Sequence, residues 1–137
     1  MMNILFLSRN IFPCVVGGIE IFVNDLARGI VDRGNNLSLL TACNSFSHGN
    51  MRTLVVNPPS KFGWLAFTMQ SIIKIREIAK SVDIIHCHQK DFNAFAAYLI
   101  KKLYGIPYVI TVYGFTQKKR TKRKLIYNLI YNNASGV

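Results

Sequence analysis

Hydrophobic and polar positions alternate along this chain with two different periods. Residues 3–8, Asn-Ile-Leu-Phe-Leu-Ser, form an uninterrupted apolar run, as expected for a strand covered on both faces of a parallel sheet. Ile19, Phe22, Val23, Leu26, Ala27 and Ile30 then recur at helical spacing and predict an amphipathic helix. That helix should end at Arg33-Gly34, where glycine can take the left-handed position after the last turn. Asn35-Asn36 turns the chain into a second strand over residues 37–42.

Residues 44–50 are polar and predict a loop, and Leu54-Val55-Val56 a short third strand ended by Pro58-Pro59, with Ser60 able to cap the helix after it. Between Lys61 and Lys80 the apolar residues Leu65, Met69, Ile72, Ile75 and Ala79 predict this second helix, with Trp64, Phe67 and Met69 as packing residues. Residues 83–88 read as a fourth strand. A third helix opens at Asp91, a good N-cap, presents Phe92, Phe95, Ala96, Leu99, Ile100 and Leu103 on one face, and stops at Gly105. Residues 107–113 are a fifth strand. Leu125, Ile126, Leu129 and Ile130 form a last helical stripe, and Gly136-Val137 reads as the first step of a sixth strand.

This alternation predicts an α/β fold: a doubly wound, mostly parallel, Rossmann-like sheet with helices on both faces. Ligands in such sheets bind at the carboxyl ends of the strands, and three loops meet that description: residues 10–18, 88–91 and 113–117. In the first, Gly17-Gly18 precedes the helix. The pair either allows a tight turn or lets a phosphate approach the unpaired N–H groups and positive dipole end of the helix.

Bulk composition narrows the field. The 137 residues, half of them hydrophobic, suffice for one domain with a real core. Cys14, Cys43 and Cys87 are odd in number, widely spaced and without a CxxC pair, which fits a reducing, cytoplasmic compartment better than a secreted scaffold. The N-terminal apolar run is too short for a signal peptide. The uncharged stretch 62–73 falls short of the roughly 20 residues a membrane span needs.

The net charge is +11, and Lys118, Lys119, Arg120, Lys122, Arg123 and Lys124 supply much of it. Such a block can meet nucleic acid, anionic lipid or a phosphorylated substrate, or remain a solvated helix start. Cations at a helix N-terminus oppose its dipole, which argues for a partner. Nucleic acid is the weaker option, because Tyr127 and Tyr131 lie beyond the basic residues rather than among them.

Among chemical candidates, His86 and His88 share one face of a strand while Cys87 points to the other, so the three cannot chelate a metal together, and no metal site is expected. His88, at the strand's carboxyl end, is the candidate for touching a ligand, and His86 is expected to be the buried one. Glu20 either favours the helix dipole or touches a ligand bound at this edge. Asp91 is weighted as a cap. No Ser-His-Asp or Cys-His arrangement has the spacing of a nucleophile site.

With these pieces in order, the chain resembles the N-terminal domain of family 4-like, retaining, GT-B-fold glycosyltransferases. The resemblance rests on Phe12-Pro13 with Gly17-Gly18-Ile19-Glu20, Asp32-Arg33-Gly34-Asn35, the strand 82–88, and Gly105-Ile106-Pro107 through Tyr113-Gly114. Neither GxGxxG nor the Walker pattern GxxxxGK[ST] occurs.

The resemblance implies a partial acceptor-side domain over residues 1–137, without the C-terminal domain that holds the nucleotide-sugar. It implies sugar transfer from a nucleotide-sugar to a lipid-linked, saccharide or small-molecule acceptor by the complete enzyme, with the isolated chain inactive. Gly17 and Gly18 would contact the donor diphosphate, and Glu20, His88 and Gly114 would bind substrate. Tyr113 stands where the family often has a catalytic histidine, and it cannot supply an imidazole. No cofactor is implied, the nucleotide-sugar being a substrate. The implied partners are the two substrates, an anionic membrane surface met by residues 118–124 with Phe115, and a separate donor-domain subunit. The implied location is the cytoplasm, peripheral at the inner membrane face. The alternatives of another class are a basic nucleic-acid-binding protein and a non-catalytic partner subunit.

Overall fold

The computed structural model describes residues 1–43, 48–57, 63–88, 92–113 and 124–136. Five parallel strands, β1 (Asn3–Leu7), β2 (Asn36–Thr41), β3 (Arg52–Val55), β4 (Ile84–His88) and β5 (Tyr108–Thr111), lie in the order β3-β2-β1-β4-β5. β1 is the central strand, with Ile4 opposite both Leu37 of β2 and Ile84 of β4. The chain order therefore reverses between β1 and β4. The expected sixth strand begins as a parallel bridge between Gly136 and Val109.

The helices are α1 (Gly18–Asp32), α2 (Gly63–Ile75), α3 (Phe92–Tyr104) and α4 (Lys124–Asn133). Alternation along β1 sends Phe6 to one face and Leu5 and Leu7 to the other. Phe6, Leu37 and Leu39 pack with Val23 and Ala27 of α1. Leu5, Leu7, Ile85, Cys87 and Tyr108 pack with Phe67 of α2, Ala97 and Ile100 of α3 and Ile130 of α4. Helices thus cover both faces, and each buried Phe, Leu or Ile side chain contributes about 1.5–3 kcal/mol.

The predicted glycine stops hold: Gly34 and Gly105 follow α1 and α3 at φ 79° and 74°, in the left-handed region that favours glycine. Asp91, Ser60 and Pro58-Pro59 lie outside the described residues.

Three helical details differ from the sequence expectation. The second helix ends at Ile75 rather than near Lys80, and a short 3₁₀ turn, Ala79–Ser81, comes after it. Ile78 N–H donates to Ile75 and Ser81 N–H to Ile78, so the chain tightens to an i→i−3 pattern. Ile75 and Ile78, three apart, are both buried by it.

The phase of α2 also differs. Phe67, Ser71 and Ile75 face the core, while Leu65, Met69 and Ile73 are exposed. A helix apolar on nearly every side has no polar face to set its rotation. The small Ser71, whose hydroxyl donates to Phe67 C=O at 2.6 Å, is what faces inward.

On α3 the buried residues are Asn93, Ala94, Ala96, Ala97 and Ile100, and Leu103 is exposed. On α4 only Ile130 of the predicted stripe is buried, whereas Leu125, Ile126 and Leu129 stay exposed.

Candidate active site at the carboxyl edge of the sheet

The chain leaves β1 at Leu7 and reaches α1 through residues 8–17. Ser8 N–H continues the ladder to Leu40 C=O, and the Ser8 hydroxyl donates to Asn10 C=O at 2.7 Å. Ile11 is fully buried and pins the loop to the α1 side of the core. Phe12-Pro13 is a cis peptide.

Cys14 and Cys43 are joined by a disulfide with Cα atoms 5.9 Å apart. Three widely spaced cysteines without a CxxC pair give no sign of this pairing. The spacing of 29 residues hides the pairing, because only the β1–β2 register places the loop after β1 beside the end of β2. Cys87 is free and buried, and burial raises its thiol pKa.

Gly17 is the N-cap of α1, in extended backbone, with no side-chain cap bond, and its carbonyl accepts from Ile21 N–H at 3.0 Å. The Glu20 carboxylate lies over Gly17, in the space a Cβ there would occupy. Gly18, exposed, has nothing within 4 Å of where its Cβ would be. The first turn of α1 is therefore open on the Gly18 side and faced by a carboxylate on the Gly17 side.

From the other half of the edge come His88 and Tyr113. The register of β1 and β4 sets Phe6 opposite His86. The Phe6 ring meets His86 and His88 edge-on, at 5.1 and 4.5 Å between centroids, and the two imidazoles lie 4.2 Å apart. The shared face foreseen for the histidines is thus present, but their depths are reversed. His88 is fully buried, while His86 is half-buried and shares a hydrogen bond of 2.7 Å with the Thr111 hydroxyl.

Tyr113, just beyond β5, is hydrogen-bonded to His88. Its hydroxyl lies 2.9 Å from His88 Nδ1, and its ring stacks at 6.3 Å on that imidazole. It also meets the Phe22 ring of α1 at 5.7 Å, T-shaped. Asn93 of α3 donates from Nδ2 to His88 C=O at 2.7 Å. Burial lowers the His88 pKa to about 3, with the His86 charge adding to it, and burial raises the Tyr113 phenol to about 12. Both groups are neutral at pH 7.

Gly17, Gly18 and Glu20 are thus linked to His88 and Tyr113 through Phe22, two residues beyond Glu20. Gly114 and the basic residues Lys118, Lys119, Arg120, Lys122 and Arg123 lie outside the described residues, as do Phe115 and the side chain of Lys124. Phe22 and Asn93 are the site members that sequence reasoning missed. Phe22 reads as one more member of the α1 apolar stripe, and nothing in its spacing marks it as standing beyond the sheet. Among the described residues no group of three His, Cys, Asp or Glu side chains could hold a metal, and no helix is long and apolar enough to cross a membrane.

Known structures share this fold. The structure of UDP-GlcNAc 2-epimerase from Methanocaldococcus jannaschii superposes with a TM-score of 0.62 at 12% identity, over 98% of this chain and 37% of that one. S. aureus MnaA, determined with UDP, gives 0.65 at 11% identity, over 98% and 36%. CalG4, the calicheamicin glycosyltransferase, gives 0.61 at 13% identity, over 96% and 37%. At these identities the likeness is one of fold, and the chain spans less than two fifths of each of these proteins. No curated protein matches the chain in sequence. The family model of Glycosyltransferase Family 4 matches residues 16–137, from the glycine turn through α4. The chain belongs to Glycosyltransferase Family 4.

Proposed function

We propose that this chain is the acceptor-side domain of a glycosyltransferase that moves a sugar from a nucleotide-sugar to a lipid-linked, saccharide or small-molecule acceptor. The observation that carries this reading is the placing of the open first turn of α1, at Gly17-Gly18, on the same edge as His88 and Tyr113. Free N–H groups at a helix start suit the diphosphate that leaves when the anomeric carbon is transferred to an acceptor hydroxyl. Glu20 beside them suits sugar hydroxyls, and the Tyr113 edge, with Gly114 after it, suits the sugar being moved. The UDP held by a structural neighbour supports a nucleotide-linked donor.

Transfer requires both substrates to be oriented in one closed cleft. These residues line one side of such a cleft, so a donor domain must supply the other. We further propose that the basic block before α4, with the exposed Leu125, Ile126 and Leu129 behind it, meets an anionic membrane surface. Flotation with liposomes tests this: recovery should require anionic lipid, and equal recovery with neutral lipid rejects it.

The functional test is transfer of radiolabelled sugar from UDP-glucose, UDP-N-acetylglucosamine or GDP-mannose into membrane lipid or a saccharide acceptor. Transfer is expected only when a donor-domain polypeptide is supplied with the chain. Titration of UDP or GDP into the chain alone should show weak or no binding. Transfer by the chain alone, or none with the donor domain present, overturns the reading.

A further inference from the structure

His88 is costly to bury. It is fully shielded, its Nε2 has no hydrogen-bond partner among the described residues, and a second imidazole lies 4.2 Å away. A leucine or phenylalanine would fill the space beside Phe6 without leaving a polar atom unpaired, so packing alone does not account for a histidine there.

What His88 holds is Tyr113. The phenol oxygen lies 2.9 Å from Nδ1, and the Tyr113 ring also contacts the His88 imidazole at 6.3 Å and the Phe22 ring at 5.7 Å between centroids. A phenol O–H is a stronger acid than a neutral imidazole N–H, and an imidazole nitrogen is a stronger base than a phenol oxygen. The favoured bond therefore runs from O–H to Nδ1, and the histidine's own hydrogen sits on Nε2. Both groups stay neutral across the physiological range, so the bond is not traded for an ion pair.

We propose that His88 is a positioning residue for Tyr113: the phenol donates its hydroxyl hydrogen inward to His88 Nδ1, so that a sugar bound at this edge meets the ring of Tyr113 and not its hydroxyl. The inference rests on the functional reading above for the identity of the ligand, and on the His88–Tyr113 geometry for everything else. It replaces the simplest expectation for Tyr113, that its hydroxyl takes over the polar contact of a histidine. A half-exposed ring flanked by Phe22 fits the C–H face of a pyranose, which packs on aromatic rings, better than it fits a sugar hydroxyl seeking a donor.

Two independent readouts on the full chain test this. In ¹⁵N NMR spectra at pH 7, His88 should show a bare Nδ1 and a protonated Nε2. Tyr113→Phe should move the Nδ1 resonance toward that of an imidazole nitrogen with no donor. A protonated Nδ1, or an Nδ1 unmoved in Tyr113→Phe, overturns the positioning role. His88→Phe reads the same bond from the other side, through loss of the Tyr113–Phe22 ring contact.

For the ligand, saturation-transfer NMR with glucose and N-acetylglucosamine compares Tyr113→Phe with Tyr113→Ala. Transfer should be kept in the phenylalanine variant and lost in the alanine variant. A loss of about two- to tenfold in affinity in Tyr113→Phe, the effect of one missing hydrogen bond, means that the hydroxyl faces the sugar and overturns the ring-face reading. Transfer to no variant and not to the parent chain overturns the sugar site itself, while the nitrogen resonances still decide the role of His88.

Discussion

The Glu20 carboxylate occupies the space that a side chain at Gly17 would fill, whereas the neighbouring Gly18 faces nothing within 4 Å. Two adjacent glycines at one helix start therefore have different reasons to be glycine. Gly17 already has extended backbone, which any residue adopts, and its obstacle is the mobile end of a glutamate.

Gly18→Ala should stabilise the fold by about 0.4–1 kcal/mol, since the first residue of α1 is helical and the unfolded chain loses freedom. Gly17→Ala should stay within about 0.5 kcal/mol of the parent as the carboxylate swings aside. Denaturant midpoints measure both. In the reconstituted enzyme, Gly18→Ala should instead lower sugar transfer about tenfold, because the new methyl group fills the phosphate's approach.

Stability should fall as the solution is acidified from about pH 6.5 toward pH 3. His88 in the unfolded chain binds a proton with the ordinary histidine pKa, near 6.5, but in the folded chain only near 3. The unfolded state thus holds more protons in this window, and acid favours it. The slope is at most about 1.4 kcal/mol per pH unit for one proton. His86, also lowered by burial, adds in the same direction. Urea unfolding at pH 7, 5 and 4 should show the decline, and His88→Phe should flatten it.

Reduction of the Cys14–Cys43 bond, which spans 29 residues, should destabilise the chain by about 3.6 kcal/mol, the chain-entropy value for a loop of this size. Cys14→Ser should be equally destabilised and indifferent to dithiothreitol. Thiol titration of the native oxidised chain should find Cys87 unreactive, since it is buried with a raised pKa. Equal stability with and without reductant would show that the bond adds nothing.

Ile130 and Leu125 lie on one helix, and their substitutions should differ. Ile130 is buried against the α2–α3 layer, and its carbonyl accepts the Tyr108 hydroxyl. Ile130→Ala should cost about 2–4 kcal/mol, and Leu125→Ala less than about 0.5 kcal/mol. Thermal or denaturant unfolding separates them. Comparable losses would mean that Leu125 is covered in solution.

The sequence discloses structure where a polar face fixes the phase. α1 has charged residues opposite its apolar stripe, and the period-2 pattern of β4 sets both histidines on one side. α2 is apolar nearly all round, so Leu65 and Met69 look as suited to the core as Phe67 and Ser71. The packing of α2 on α3 makes that choice. Gly17, Gly18, His88 and Tyr113 are visible as strand-end residues, because ligands of such sheets gather there. Invisible are the relations between them. The Cys14–Cys43 bond requires the β1–β2 neighbourhood, and the His88–Tyr113 bond requires the pairing of β4 with β5. Phe22 is indistinguishable in spacing from Val23, although one is exposed at the sheet edge against Tyr113 and the other is buried.

The pairing of β1 with β4 joins residues 80 apart in sequence, farther than any other strand contact of the sheet. Gly17 leaves one of these strands and His88 ends the other. The N-terminal βαβ unit can form its own local contacts, yet it contains only half of the edge. The loop that must close to bring the halves together is the costliest in the sheet. The edge is therefore completed late in folding, and a cut within residues 76–83, between α2 and β4, threatens it before it threatens the α-helices.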